Sequence, residues 1–157
     1  MTSATPLLSL LDLAERERND AMSVAKRAEM EHRNAQRQAE QLLAYRGDYE
    51  QRWSQRFSDS GGGGGIDIVH CYQGFMDRLG EAIASQQRVV AMAAQRLELA
   101  QAAWQRQEIR VASIRKLIAR RGAEAQGVEA RREQKQLDEQ AVRAAWQRAR
   151  AAALSPL

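Results

Sequence analysis

Apolar residues recur in sevens along both halves of the chain. In the first half Leu7, Ala14, Ala21, Ala28, Ala35, Leu42 and Tyr49 stand seven apart without a break, with Leu10, Leu11, Val24, Ala25, Ala39, Tyr45 and Trp53 three or four residues away. In the second half Met76, Ile83, Val90, Leu97, Trp104, Val111, Ile118 and Ala125 form an equivalent column, with Leu79, Ala93, Ala100, Ile114 and Val128 as companions. A seven-residue apolar repeat keeps one stripe of an α-helix turned toward a partner helix, which is the pattern of a coiled coil. Gln86, Gln107 and Arg121 interrupt the second stripe, and polar residues at seam positions set register at some cost in stability.

The two runs are separated by SDSGGGGG at 58–65. Each glycine costs about 1 kcal/mol relative to alanine in a helix interior, so five in a row break the helix. A phosphate-binding loop is excluded because no GK[ST] follows the run and no strand precedes it. The pattern predicts a helix over 6–57, a glycine-rich turn over 58–65 and a helix over 67–152, with Asp67 capping the second helix and Ile66 packing just before it. So short a turn makes the helices antiparallel.

Folding about Gly62 and Gly63 sets opposite each other positions whose numbers sum to about 125, at a rise of about 1.5 Å per residue on both helices. Leu42 then faces Ile83, Ala28 faces Leu97, Ala21 faces Trp104 and Leu7 faces Ile118. Small residues meet large ones, which lets the helices approach without cavities. The expected fold class is all-α, a single long antiparallel two-helix coiled-coil hairpin over 1–157 with a C-terminal helical overhang. The first helix would span about 80 Å and the second about 130 Å. Gly122 and Gly127 mark a weak point where the pairing ends, one that would permit a bend.

Composition sharpens this picture without changing it. The chain has 157 residues, 28% of them charged and 5% aromatic, and its two prolines, Pro6 and Pro156, stand near the ends. That is the composition of long helix with little conventional core. The net charge is +4, which raises a nucleic-acid reading. Basic and acidic residues number nine and ten in 1–60, nine and six in 61–128, and six and four in 129–157. Acids are interleaved throughout, and no basic run carries aromatics on which bases could stack, so a mixed-charge helix surface is the better account.

Cys71 is the single cysteine, so an intrachain disulfide is excluded. His70 beside it and the distant His32 have no carboxylate at ligand spacing on the same face, and no metal site or cofactor is expected. No apolar run approaches the roughly 20 residues that span a bilayer. The N-terminus has neither a basic n-region nor a small-residue cleavage site, so a cytoplasmic location is expected. A thin hairpin offers no concave pocket, and no Ser/His/Asp set or paired carboxylates occur, so no enzyme activity is expected. Contact with other proteins remains.

One segment sits past the fading seam: ARREQKQLDEQAV at 130–142, with no apolar residue from Arg131 to Gln136. Pairs such as Lys135–Glu139 and Glu139–Arg143 would account for its helicity at about 0.2–0.5 kcal/mol each. Leu137, Val142 and Trp146 have no expected partner within the chain and suit docking. Near the turn, Tyr45, Tyr49, Trp53, Tyr72 and Phe75 concentrate the aromatics in a region that a two-helix hairpin cannot enclose, and exposed aromatics anchor interfaces.

Several segments together resemble the flagellar export protein FliJ: LLDLAERERNDA near the N-terminus, QLLAYRGDY at 41–49, YQGFMDRL at 72–79 and EARREQKQLDEQA at 129–141. The resemblance implies an antiparallel two-helix coiled coil in the cytoplasmic part of the flagellar type III export apparatus, at the inner membrane. It implies a stalk-like protein that associates with the ring of the export ATPase FliI, contacts the export-gate protein FlhA and escorts export chaperones. The family's export-gate surface matches Gln38, Leu42, Tyr45, Tyr49, Phe75, Leu79 and Ala82, with Leu42 and Leu79 also read as packing residues. Arg131, Arg132, Glu133, Gln134, Lys135, Asp138 and Glu139 are the expected contacts to the ATPase or chaperones, at the end of the hairpin away from the turn. The readings weighed against this one are a stalk of the related virulence secretion system, a nucleic-acid-binding helical protein and a structural coiled-coil spacer.

Overall fold

A computed structural model of the chain describes residues 4–59 and 65–155. The described residues form two α-helices, α1 over Ala4–Asp59 and α2 over Ile66–Leu154. Both predicted helices are present and each is longer than expected. Pro6 is tolerated because it lies in the first turn of α1, where a backbone N–H has no intrahelical acceptor to lose. Ser58 and Asp59 still belong to α1, and the tip of the expected turn, residues 60–64, lies outside the described residues. Arg56 in the last turn of α1 and Asp67 in the first turn of α2 each oppose the end charge of their helix dipole.

The start of α2 differs from expectation. The Gly65 carbonyl accepts from the N–H of Ile68 at 3.0 Å and of Val69 at 3.3 Å, so Gly65 precedes the helix directly and Asp67 already lies inside the first turn. Glycine can hold that position because its backbone meets no side-chain constraint there. α2 remains helical through Gly122 and Gly127, in keeping with the expected helix over 67–152.

Two compact units divide the described chain, one over Ala14–Ile109 and one combining Met1–Leu13 with Arg110–Leu157. Within Ala14–Ile109 the two helices pack antiparallel along the predicted stripe. Ala14, Ala25, Ala28 and Ala35 of α1 are buried with Leu79, Ile83, Ala93 and Ala100 of α2, and Ala14 is 0% exposed. Ala25, Ala28 and Ala100 form one cluster against which Leu97 and Trp104 pack. Alanines on one helix leave room for an indole and a leucine on the other, so close packing is reached without large side chains meeting head on.

The antiparallel register is visible in individual contacts. Gln86 Nε2 reaches Gln38 Oε1 at 3.2 Å, Arg18 Nε lies 3.8 Å from Glu108 Oε1, and the rings of Trp53 and Tyr72 stack at 4.4 Å. Each pair sums to within two of about 125, the value set by equal rise on both helices. The seam's companion positions on α1 fall four residues after the main column. Leu11 is therefore half-buried and Ala25 buried, whereas Leu10, Val24 and Tyr45, three residues after it, rotate outward and are exposed.

In the unit formed by the terminal segments the seam is short. Val111 is 1% exposed and Ile114 is buried, while Leu7, Leu11 and Ile118 are half-buried. Beyond Ile118 every described residue of α2 is exposed except the intermediate Gly127 and Ala144, Ala125 and Val128 among the exposed ones. There α1 has no residues left to supply the opposite wall, so the overhang has no apolar seam.

Candidate functional site

The first expected contact surface lies around the turn-proximal part of the Ala14–Ile109 unit. Tyr45, Tyr49 and Trp53 recur every four residues along α1, which keeps them on one side of the helix. Tyr72 and Phe75 on α2 meet them. Phe75 lies 4.4 Å from Tyr49 and 6.3 Å from Tyr45, centroid to centroid, and Tyr49 lies 6.2 Å from Tyr45. Tyr72 stacks on Trp53 at 4.4 Å and is nearly parallel to Tyr49 at 6.1 Å. Phe57 extends the group, with its ring 5.2 Å from Trp53. Aromatic pairs at such separations contribute about 0.5–1.5 kcal/mol beyond the area they bury.

The seven residues expected on this surface are not equivalent. Tyr45, Gln38 and Ala82 are exposed, Leu42, Tyr49 and Phe75 are half-buried, and Leu79 is 7% exposed. Leu79 belongs to the seam, and a partner could reach it only by opening the hairpin. Tyr45 is the one tyrosine of the cluster classed as exposed, 52% by area, whereas Tyr49 and Tyr72 are half-buried. A shallow groove lined by Gln38, Gln41, Leu42, Tyr45 and Gln86 continues the surface away from the turn. Its floor is held by Gln86, whose Nε2 donates to the Ala35 carbonyl at 3.0 Å as well as to Gln38. Phe57 was legible only as one more apolar residue four positions after Trp53. Its place in the cluster follows from the four-residue spacing that sets its ring beside Trp53 in the last turns of α1.

The second expected surface lies on the C-terminal part of α2. Arg131, Arg132, Glu133, Gln134, Lys135, Asp138 and Glu139 are all exposed. The polar bond closed within the segment is Gln134 Nε2 to Asp138 Oδ1 at 3.1 Å. Among the described residues, Lys135–Glu139 and Glu139–Arg143 do not close as ion pairs. These charges are therefore available to another molecule.

Helical geometry sorts them. At about 3.6 residues per turn, Arg131, Lys135, Asp138, Val142 and Trp146 recur on one face, whereas Glu133 projects from the opposite one. Val142 and Trp146 are exposed, Trp146 by 73%, and Leu137 is exposed on another side of the helix. One face thus combines two cations, a carboxylate and two unburied apolar side chains, which is the make-up of a helix that docks on a protein surface. Neither surface resembles a metal centre: among the described residues no group of three His, Cys, Asp or Glu is close enough to hold an ion, and no helix is long and apolar enough to cross a membrane.

Comparison with known proteins bears on both surfaces. Residues 3–150 match the family described as Flagellar FliJ protein. The Flagellar FliJ protein of Salmonella typhi is 30% identical over 142 residues, covering 90% of this chain and 95% of that protein. Both candidate surfaces fall inside the matched region.

Proposed function

Because the chain belongs to the flagellar FliJ family, we propose that this protein of flagellar export acts as a central-stalk-like component of the type III export apparatus. In this reading the face of α2 bearing Arg131, Lys135, Val142 and Trp146 contacts the ring of the export ATPase FliI or an export chaperone. The aromatic cluster around Tyr45 and Phe75 contacts the export-gate protein FlhA. The protein then works at the cytoplasmic side of the inner membrane, held there by protein partners.

The observation that carries the proposal is the exposed state of the C-terminal helix. Arg131 to Glu139, Val142 and Trp146 remain on the surface where α1 supplies no seam, and α2 nevertheless continues to Leu154. Most helical stability in proteins comes from packing an amphipathic face, so a stretch of α2 that has no seam within the chain is suited to packing on a partner. Mixed charge suits a stalk, since exposed ion pairs contribute only about 0–1 kcal/mol each and can be exchanged between ring subunits.

The test is a pull-down of the purified chain against the cognate export ATPase and the cytoplasmic domain of the gate, combined with an ATPase assay. Both partners should be retained. The double variant Arg131→Glu, Arg132→Glu should lose ATPase stimulation while keeping its helical circular dichroism and its gate binding. Undiminished stimulation by that variant would remove the ring contact from this segment.

A further inference from the structure

Val24, Glu31, Gln38 and Tyr45 stand seven apart on α1, and Phe75, Ala82, Val89 and Arg96 stand seven apart on α2. These two columns border one side of the seam in the Ala14–Ile109 unit. Two heptads beyond Gln38, away from the turn, they frame a second groove. Ala28 and Ala100 make its floor, Val24 and Leu99 its rims, and Arg27 and Arg96 flank it. Its floor lies low because alanine side chains end at Cβ. Its rims stand high: Val24 is 54% exposed and Leu99 72%, and Val89 and Met92 extend the exposed apolar surface along α2.

The charges around the groove are not occupied by one another. Glu31 also lines it, yet among the described residues no ion pair joins Arg27, Glu31 and Arg96. Two guanidinium groups that remain charged at any physiological pH therefore outnumber one carboxylate beside an exposed apolar trough. Such a combination is not needed to hold the hairpin together, since the buried cluster of Ala25, Ala28 and Ala100 lies beneath it.

We propose that this groove seats one amphipathic α-helix of another protein, its apolar stripe lying over Ala28 and Ala100 and acidic residues along its edges meeting Arg27 and Arg96. Two adjacent helical ridges with a small-residue floor accept a third helix by the same ridge-into-groove packing that joins the first two. Aliphatic rims suit leucine, isoleucine or methionine on the incoming helix. Charge separates this occupant from a second copy of the chain. Two copies facing each other through the groove would set guanidinium groups against guanidinium groups, with Glu31 alone on each side to offset them, and like charges at an interface are costly.

The probe is a hydrocarbon-stapled model helix with leucines along one stripe and glutamates along both edges, compared with the same helix carrying lysines in place of the glutamates. Binding to the full chain is followed by fluorescence anisotropy. The glutamate-edged helix should bind, and the lysine-edged helix should bind about tenfold more weakly. Leu99→Glu and Val24→Glu should each weaken the glutamate-edged complex by about tenfold or more. Both side chains are exposed rims, so circular dichroism and the melting temperature should stay at wild-type values. Met30→Glu, an exposed apolar residue of α1 that does not line the groove, should change nothing. Absence of binding, equal affinity for the two probes, or an equal loss in Met30→Glu overturns the proposal. Sedimentation of the chain without probe supplies the other arm: a dimer abolished by Leu99→Glu would assign the groove to a second copy and overturn the proposal, and a monomer supports it.

Discussion

The indole of Trp53 on α1 and the ring of Tyr72 on α2 lie face to face, 4.4 Å between centroids and 7° from parallel. Tyr49, one turn before Trp53, is within 6° of parallel to the same Tyr72 ring. One α2 side chain therefore ties two successive turns of α1 together close to the end of the hairpin. Tyr72→Ala should remove both contacts and cost about 1–3 kcal/mol, read as a lower midpoint in a urea titration followed by circular dichroism. An unchanged midpoint would mean that the cluster serves contact with partners and contributes nothing to hairpin stability.

Two glutamines occupy the same seam column of α2, three heptads apart, and meet different fates. Gln86 donates to the Ala35 carbonyl and to Gln38, whereas Gln107 has its Oε1 shielded from solvent without a donor. An unsatisfied buried oxygen costs about 1–3 kcal/mol. Gln107→Leu should therefore raise stability, and by about 1 kcal/mol more than Gln86→Leu, which sacrifices two hydrogen bonds. Chemical denaturation of the two variants side by side measures the difference. The opposite ranking would show that Gln107 finds a partner in solution.

Gly122 sits in the interior of α2, and a Cβ added there would meet no atom within 4 Å. Gly122→Ala should stabilise the helix by about 1 kcal/mol because alanine loses less backbone entropy and nothing stands in its way. Circular dichroism melts test the gain. A further assay of ATPase stimulation tests whether flexibility at this point is used. If the alanine variant melts higher but stimulates less, the glycine is retained for bending.

On the C-terminal part of α2, face matters more than charge count. Lys135 shares a side of the helix with Val142 and Trp146, and Glu133 projects away from it. If that side meets the export ATPase, Lys135→Glu and Trp146→Ala should each weaken the interaction by about 1–3 kcal/mol, and Glu133→Lys should leave it within about 0.5 kcal/mol of wild type. Titration calorimetry with the purified ATPase provides the comparison. Equal losses in all three variants would replace a one-sided contact by one that surrounds the helix.

Repeats of seven sufficed to specify two helices, their break near the glycines and the stripe each turns inward, because the helix period alone determines which residues share a face. Register followed almost as directly: with equal rise on both helices and a turn centred on the glycines, Trp53 has to come near Tyr72 and Gln38 near Gln86. The absence of apolar residues from Arg131 to Gln136 likewise announced that α2 has no seam there, and all six positions are exposed.

Tertiary structure decided what the period leaves open. A stripe has a width but no marked centre, so Leu10 and Leu11, or Val24 and Ala25, were equally eligible until the partner helix selected the later member of each pair. It also decided that Leu79 is enclosed while Tyr45 is presented, and that Gln86 is satisfied while Gln107 is not. Those outcomes depend on the atoms that happen to lie opposite. Hydrogen bonds and burial are properties of pairs, and a single chain read in order contains only their halves.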